Sequence, residues 1–465
     1  MIQAFRFEHS RRVPVARVSA ILLALAFIAA TVVSVKAQNR SSASNQDVER
    51  RAAGNDHPVY AHLCTWFKTR QFSGRWTMWN SDYADAIHNP DNLLENGHHD
   101  IAATSYPLTD VYDTSDPTLI EYQFLLMRLS GIDGIVVDWD GRRLNPYRHE
   151  GLMAVAPYLQ KFGLKLILCF EEWAGYWPKG TFPDRKAEIK AAQNEIQFMM
   201  DTFLSKPTYG VVAGKKPVII FRKIRDQLFT PEEWDGELGP MITNHSGALI
   251  MGTDPSSRLA QIADGTYFWV GGFAPNRLST LDYCVKSYRD FLSKPRESLR
   301  THPPLLFGSA VPAFNDTPVW GWGDGPRIAP DYQGERFRRT WELSIQNRVD
   351  LVQLVTWNDW NEGTQIEPSD TYGYRYLELN KKYSAAYKGI KDTVPNTALR
   401  IPLRLYKARK DAAALADAAQ KAALSSKLDE VRDALLAGRY EQAEQRMEQC
   451  EKTRTRRDTA LRPAK

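Results

Sequence analysis

Short apolar runs alternate with amphipathic stretches through the middle of the chain. Eight runs have the length and apolar content of strands, at Val59–Trp66, Gly134–Trp139, Leu164–Phe170, Pro217–Phe221, Ala248–Thr253, Thr266–Val270, Leu305–Val311 and Val352–Trp357. Helical spacing of the apolar residues predicts helices between them and after the last, at Pro117–Ser130, His149–Phe162, Asp184–Ser205, Pro231–Ile242, Leu278–Leu292, Gly334–Asn347 and Leu377–Lys388.

Near-continuous apolar strands alternating with amphipathic helices are typical of a parallel sheet covered by helices. Eight such units predict the α/β class and a (β/α)8 barrel, or TIM barrel, over residues 57–393. A doubly wound sheet is the alternative, but the GxGxxG turn that would favour it does not follow the first run.

The N-terminal end of the chain lacks this alternation. Arg6, Arg11, Arg12 and Arg17 precede an apolar run, and Ala37 ends a segment typical of a cleavage site. The pattern predicts a secretory signal peptide over residues 1–37, followed by a flexible linker over residues 38–56. We therefore expect an exported protein, periplasmic or secreted, with no membrane span in the mature chain. An uncleaved N-terminal anchor is the alternative.

The C-terminal end, residues 394–465, is predicted to be a helical tail. Two segments, Lys407–Ala437 and Tyr440–Thr453, have helical composition and are separated by Gly438. This arrangement favours a helical hairpin packed on the barrel. Contact with a partner protein through these helices is the second interpretation.

The charge distribution changes how the composition is interpreted. The net charge is +5, but residues 1–37 contribute +4 and residues 394–465 contribute +6, which leaves the predicted barrel near −5. We therefore expect no nucleic acid partner. The four cysteines are scattered and no CxxC or HExxH pattern is present, so we expect buried free thiols, no metal site and no cofactor.

Acidic and tryptophan residues recur at the carboxyl ends of the predicted strands, where (β/α)8 barrels carry their active sites. Aromatic rings pack on the C–H faces of sugars, and carboxylates bind sugar hydroxyls, so this pattern favours an oligosaccharide or polysaccharide substrate. We expect one of Asp138 and Asp140 to face the barrel mouth, and likewise one of Glu171 and Glu172. The candidate substrate-binding residues are Tyr60, His98, His99, Asp138, Asp140, Glu171, Trp177, Asp316, Trp357 and Trp360.

Asp359 and Glu362 stand three residues apart just after the last predicted strand, beside Trp357 and Trp360. Cleavage of a glycosidic bond commonly uses one carboxylic acid to protonate the leaving oxygen and one carboxylate as base or nucleophile. Two carboxyls in one cleft raise each other's pKa, which keeps one of them protonated near neutral pH. The spacing therefore predicts a catalytic pair.

The segment that carries this pair, TWNDWNEGTQIEP at residues 356–368, resembles the signature of glycoside hydrolase families 71 and 99. Similar segments are Gly97–Ile101, Gly131–Gly134 and Pro312–Thr317, and the resemblance covers about His57 to Tyr387. It implies a (β/α)8 barrel that cleaves α-linked polysaccharides or mannans from the endo side. It also implies that Asp359 and Glu362 are the catalytic acids and that Glu171 contacts the sugar, although the residues around Glu171 depart from the family 99 pattern.

Asp359 is also a departure, because family 99 has Glu at this position whereas family 71 has Asp. Family 99 is a retaining group that works through the 2-hydroxyl of its substrate, and family 71 is regarded as inverting. Since Asp is one methylene shorter and leaves more room for a water molecule, we expect inversion, with Glu362 as general acid and Asp359 as base.

Two other functions stay open at this point. The chain could be a catalytically inactive carbohydrate-binding barrel, which would bind a polysaccharide without releasing reducing sugar. It could also be a cell-envelope polysaccharide assembly factor, similar to domains attached to glycosyltransferases. The predicted signal peptide disfavours the second of these, because those proteins work at the cytoplasmic face.

Overall fold

The structure, a computed structural model, describes residues 57–143, 145–172, 181–222, 229–252, 258–271 and 273–460. The predicted signal peptide, the predicted linker and the candidate Trp177 lie outside the described residues.

Eight parallel strands close into a barrel in sequence order, and the last strand pairs with the first. This confirms the (β/α)8 prediction. The strands are β1 Val59–His62, β2 Gly134–Trp139, β3 Lys165–Glu171, β4 Lys216–Phe221, β5 Gly247–Met251, β6 Gly265–Tyr267, β7 Leu305–Ala310 and β8 Leu351–Leu354.

Side chains alternate across each strand of the barrel. On β2, Val136 packs inside the barrel with Ile167 and Ile219 of β3 and β4. The neighbouring residues Ile135 and Val137 belong to the larger core between the strands and the helices. Both faces of the strands are therefore apolar, which is why the strands lack a polar–apolar alternation in the sequence.

Helices cover the outside of the barrel. The longer ones are α1 Pro117–Leu129, α2 Pro146–Val155, α3 Arg185–Met199, α4 Leu281–Ser293, α5 Glu335–Gln346 and α6 Arg375–Lys388. Shorter helical segments are Arg70–Ser73, Ala156–Tyr158, Leu159–Phe162, Met200–Leu204, Pro231–Glu233, Trp234–Leu238, Gly239–Thr243, Arg258–Ile262, Thr317–Gly323, Tyr332–Gly334 and Asn396–Arg400.

Two antiparallel hairpins lie outside the barrel. One pairs Ser81–Tyr83 with Ala86–His88 in the long loop after β1, and the other pairs Phe314–Asn315 with Ile328–Ala329 after β7. The first hairpin packs against the helical segment Thr317–Gly323, so the loops after β1 and β7 meet at the barrel mouth.

The C-terminal tail contains three helices, α7 Ile401–Ala413, α8 Ala418–Leu436 and α9 Tyr440–Ala460. The predicted helix Lys407–Ala437 is therefore wrong as a single element. The break occurs because the Asp417 carboxylate accepts a hydrogen bond from the Gln420 amide at 2.8 Å and starts a new helix there.

The tail packs on the barrel through α7, which lies against α1. Arg409 of α7 pairs with Glu121 of α1 at 2.8 Å and with Asp429 of α8 at 2.6 Å. Glu121 is 8% exposed. Because ionised groups are rarely buried without a partner, this cluster fixes the position of the tail on the barrel.

Candidate active site

The loop after β8 is anchored through the residues on either side of its two acids. Asn358 accepts a hydrogen bond from the Cys64 amide at 2.8 Å and donates to the Cys64 carbonyl at 3.0 Å. The Asn361 amide donates to the carbonyls of Met78 and Ala102. Trp360 donates its indole N–H to the Tyr112 hydroxyl at 2.8 Å. These contacts fix the loop backbone against the segments that follow β1.

Asp359 and Glu362 project from this loop into one cavity of about 520 Å³ at the carboxyl ends of the strands. We call it the catalytic pocket, after the prediction that these two acids are the catalytic pair. It is lined by Trp66, Met78, Tyr83, Asp138, Asp140, Asn145, Tyr147, Arg148, Glu171, Phe221, Trp269, Trp322, Asp359 and Glu362.

Asp359 and Glu362 are linked through the backbone of their loop. The Glu362 amide donates to Asp359 Oδ1 at 3.0 Å, and the Asp359 amide donates to the Thr356 hydroxyl at 2.7 Å. Burial, followed by the charge of Glu362, raises the pKa of Asp359 well above its usual value. Burial also raises the pKa of Glu362. Burial and the charge of Glu362 therefore favour the neutral form of Asp359, and burial favours the neutral form of Glu362.

Glu362 has two further neighbours that favour its charged form. The Trp322 indole donates to Glu362 Oε1 at 3.0 Å, and the Arg327 guanidinium lies 3.9 Å from the same oxygen. Both oppose the rise in the pKa of Glu362 that burial causes. Asp316 holds Arg327 in place through contacts of 2.6 and 2.7 Å to its guanidinium.

A second group of charges lies across the pocket from β8. The Arg148 guanidinium donates to Glu171 at 2.6 Å, lies 3.6 Å from Asp140 and stacks on the Trp66 ring at 4.3 Å. Burial raises the pKa of Glu171 to about 7, although Arg148 opposes the rise. Burial also raises the pKa of Asp140. Oδ1 of Asp140 and the Trp66 indole N–H have no hydrogen-bond partner among the described residues.

Asp138 differs from its neighbours in its ionisation. Its burial favours the neutral acid, but the His62 imidazole at 3.6 Å and the Arg148 charge outweigh this and lower the pKa of Asp138. His62 is itself oriented by Gln353 at 3.1 Å. The pocket therefore contains one carboxylate held ionised beside several held closer to the neutral form.

The structure brings five of the sequence candidates into the pocket, namely Asp138, Asp140, Glu171, Asp359 and Glu362. The expectation that only one of Asp138 and Asp140 faces the mouth is wrong, because β2 ends at Trp139 and both side chains line the pocket. Glu171 and Glu172 do diverge as expected. Glu172 points away, where it binds Arg222, Trp234 and the Phe229 amide.

The remaining described candidates do not line the pocket. Tyr60 is buried in the barrel interior, paired with Gly134 at the start of β2, so it lies towards the opposite end of the barrel. Trp357 and Trp360 are fully buried in the core behind the loop.

Asp316, His98 and His99 also lie outside the pocket. Asp316 is fully buried and acts on the pocket through Arg327. His98 stacks on the Tyr106 ring at 3.8 Å. His99 donates from Nδ1 to the Pro90 carbonyl at 2.6 Å and faces a different cavity.

Arg148 is the pocket residue that sequence reasoning missed most completely. It lies in the first turn of α2, where a positive charge opposes the helix dipole. This unfavourable position could have identified Arg148 from the sequence, since nearby carboxylates would stabilise a cation placed there. Trp66, Trp269 and Trp322 line the pocket as well, and only their aromatic character and their positions after strands indicated a role.

The profile of Glycosyl hydrolase family 99 matches residues 55–393. This chain belongs to glycosyl hydrolase family 99. It is therefore a glycoside hydrolase with a carbohydrate substrate. The family assignment agrees with the resemblance around the TWNDWNEG segment, and the Asp at position 359 remains the departure from the family's Glu.

Individual relatives of this family 99 member are distant in sequence. Glycoprotein endo-alpha-1,2-mannosidase of Xenopus laevis is 21% identical over 376 residues, which cover 71% of this chain and 77% of the relative. The protein of that description from Rattus norvegicus is 22% identical over 370 residues, covering 71% and 74%. The GH99 endo-alpha-mannosidase from Bacteroides thetaiotaomicron shares the fold, with a TM-score of 0.55, 21% identity and coverage of 72% of this chain and 98% of that one.

Other features of this family 99 member follow from the described residues. The four cysteines are buried and free, as predicted. Within the described ranges, no cluster of three or more His, Cys, Asp or Glu side chains is arranged to hold a metal ion. None of the helices in the part of the chain that the structure describes is long and apolar enough to cross a membrane.

Proposed function

We propose that this family 99 member is an exported enzyme that hydrolyses an α-linked mannan or glucan, with Asp359 and Glu362 as its catalytic carboxyls. The observation that supports this most directly is that both carboxyls enter one pocket from a single anchored loop and that burial raises the pKa of both. The similarity to endo-alpha-1,2-mannosidases favours an α-mannan as the first substrate to test.

Glu362 is the proposed general acid and Asp359 the proposed base. A general acid works best with a pKa near the working pH. Burial raises the pKa of Glu362, and the Trp322 hydrogen bond with the Arg327 charge limits this rise. Protonation of Glu362 removes its charge, which is the second cause, after burial, of the raised pKa of Asp359. The ionised form of Asp359, which a base requires, then becomes more favourable.

The opposite side of the pocket is the proposed sugar-binding surface. Asp140 Oδ1 and the Trp66 indole N–H are buried and have no hydrogen-bond partner within the described ranges, so a sugar hydroxyl that bonds to them would relieve an unfavourable state. Arg148 stacks on Trp66 and is held by Glu171, so it is fixed before substrate arrives. A polar group of the sugar could therefore bind there without rearrangement of these side chains.

The catalytic assignment is tested with the conservative variants Asp359→Asn and Glu362→Gln. Each is expected to lower the release of reducing sugar from the cleaved polysaccharide by about 10²–10⁴-fold, the usual contribution of a general acid or base. Asp85→Asn is the matched control, because Asp85 is an exposed acid in the hairpin turn near the mouth and lines no cavity described above. Variants as active as the wild type would disprove the assignment.

A panel of α-mannans and α-glucans separates the other functions. If the wild type binds one of them but releases no reducing sugar from any, this chain is the carbohydrate-binding barrel rather than the enzyme. Proton NMR of the first product gives the stereochemistry. Inversion is expected because Asp359 is shorter than Glu, and a retained anomer would contradict that expectation.

Export is tested by cell fractionation and by sequencing the mature N-terminus. We expect the protein in the periplasm or the medium with Gln38 as its first residue. A retained N-terminus with the barrel on the cytoplasmic side would instead support the role in envelope polysaccharide assembly.

A further inference from the structure

A second cavity, of about 640 Å³, lies outside the catalytic pocket. We call it the side cavity. It is bounded by the loop after β1, the loop that precedes α1 and the first helix of the C-terminal tail, α7. Its lining includes Phe72, Trp76, His99, Asp110, Tyr406 and Lys410.

We propose that the side cavity binds a segment of an oligosaccharide, separately from the sugar that is cleaved. Only the choice of sugar rests on the proposed function. Binding at the side cavity itself does not require that Asp359 and Glu362 hydrolyse anything.

Two aromatic rings in the side cavity are placed as sugar-stacking surfaces. Phe72 is 52% exposed, so part of its ring is open to solvent. Trp76 is half-buried, and its indole N–H donates to Asp91 at 2.8 Å. Asp91 also pairs with Arg70 at 2.9 Å. Since the Trp76 ring is already fixed, it loses little side-chain entropy when a sugar packs on it.

Polar groups surround these rings with both donors and acceptors. His99 donates from Nδ1 to the Pro90 carbonyl, so Nε2 is the ring nitrogen left for a ligand. Lys410 is half-exposed and lies 3.0 Å from Asp116. Sugar hydroxyls donate and accept, so they suit such a mixed surface.

Charge disfavours other classes of ligand in the side cavity. The lining contains the cations Arg70 and Lys410 and the carboxylates Asp110, Asp113 and Asp116. With cations and carboxylates nearly balanced, the cavity does not favour a phosphate or a nucleotide. An uncharged ligand with hydroxyl groups and apolar faces fits this lining best.

The tail completes this cavity. Tyr406 and Lys410 belong to α7, whereas the match to family 99 ends at residue 393. Tyr406 packs on Tyr122 of α1, with 5.7 Å between the ring centroids, and the Lys410 ammonium lies 5.9 Å from the Tyr406 ring. The proposal therefore gives the tail a role in holding substrate, beyond packing on the barrel.

The test uses the full chain carrying Asp359→Asn, so that added sugar is not consumed, and follows the indole N–H resonance of Trp76 by NMR. The resonance is assigned with Trp76→Phe. The probes are α-1,2-linked mannotetraose and an α-1,3-linked glucan oligosaccharide. We expect one of them to shift the Trp76 resonance in a saturable way, and Phe72→Ala to weaken this binding by about tenfold. Ile87→Ala is the control, because Ile87 is 70% exposed but lies outside the side cavity.

The outcomes separate the two proposals. A shift of the Trp76 resonance without any hydrolysis by the wild type would support the side cavity and contradict the proposed function. Hydrolysis without a shift of Trp76 at saturating concentrations of either probe would overturn the side cavity alone. A shift caused by Ca²⁺ in the absence of sugar, with no effect of either probe, would overturn it in favour of a cation site at the carboxylates.

Discussion

The hydrogen bond from Trp322 to Glu362 should set the pH range in which the enzyme works. Trp322→Phe removes the indole N–H but keeps an aromatic ring beside Glu362. A hydrogen bond to a charged group contributes about 1.5–3 kcal/mol, and one pKa unit corresponds to about 1.4 kcal/mol. Glu362 has only 16% of its side chain exposed, so water replaces the lost donor incompletely. We therefore expect its pKa to rise by about one to two units.

The assay is the pH dependence of kcat/KM on the substrate that the panel identifies. A general acid must be protonated, so a higher pKa of Glu362 should move the alkaline limb of the profile to higher pH by that amount. Tyr83→Leu is the control, since the Tyr83 ring packs edge-on against Trp322 at 5.9 Å and its loss removes packing but leaves the indole N–H.

Three results would refute this reasoning in different ways. An alkaline limb that stays in place would show that the Trp322 bond does not control the ionisation of Glu362. An acidic limb that moves instead would show that Glu362 is the base, which would reverse the proposed roles. An equal shift in Tyr83→Leu would attribute the effect to packing.

Three further predictions concern buried charges. Burial raises the pKa of Glu367 to about 7, so the unfolded chain loses that proton first, and stability should fall as the pH rises from about 4.5 to 7. In the wild type the free energy of unfolding should be about 2–3 kcal/mol lower at pH 8 than at pH 5 because of this group, and Glu367→Gln should abolish that difference. Urea unfolding at the two pH values measures it. Arg148→Met leaves Glu171 without its cation and should lower the free energy of unfolding by about 3–5 kcal/mol at pH 8. The loss should be smaller at pH 5, where the Glu171 carboxyl is protonated. An equal loss at both pH values would contradict this. Arg409→Met removes the nearer cation of Glu121 and leaves it only Arg432, at 3.5 Å. The weaker pairing beneath the tail should speed proteolytic cleavage near residue 414. Unchanged protection would mean that apolar packing alone holds the tail.

The barrel was predictable because its strands are buried on both faces. A strand between an apolar interior and covering helices must be apolar throughout, so it stands out from the amphipathic helices around it. The sequence placed the starts of the strands well, but extended β1 to Trp66 and β8 to Trp357, whereas the strands end at His62 and Leu354. The apolar residues beyond these points belong to anchored loops, and a buried loop has the same composition as a buried strand.

Site residues at strand ends could be predicted, because the backbone fixes where they lie. Site residues whose position depends on side-chain packing could not. Asp138, Asp140 and Glu171 come directly at strand ends, which a parallel barrel must bring to one mouth. Trp357 was expected to bind sugar because aromatic residues commonly do, but its ring packs behind the loop. Arg148 reaches the pocket from a helix, and no periodicity marks which helical side chain will do so.

The residues between and beside the proposed catalytic acids explain why their i, i+3 spacing brings both into one pocket. Asn358, Trp360 and Asn361 each bind a group that follows β1, and none of these three lines the catalytic pocket. Their contacts fix the loop so that Asp359 and Glu362 are the side chains left to face substrate. Tyr112 accepts the hydrogen bond from Trp360 and also lines the side cavity. Tyr112 therefore connects the lining of the side cavity to the loop that carries Asp359 and Glu362.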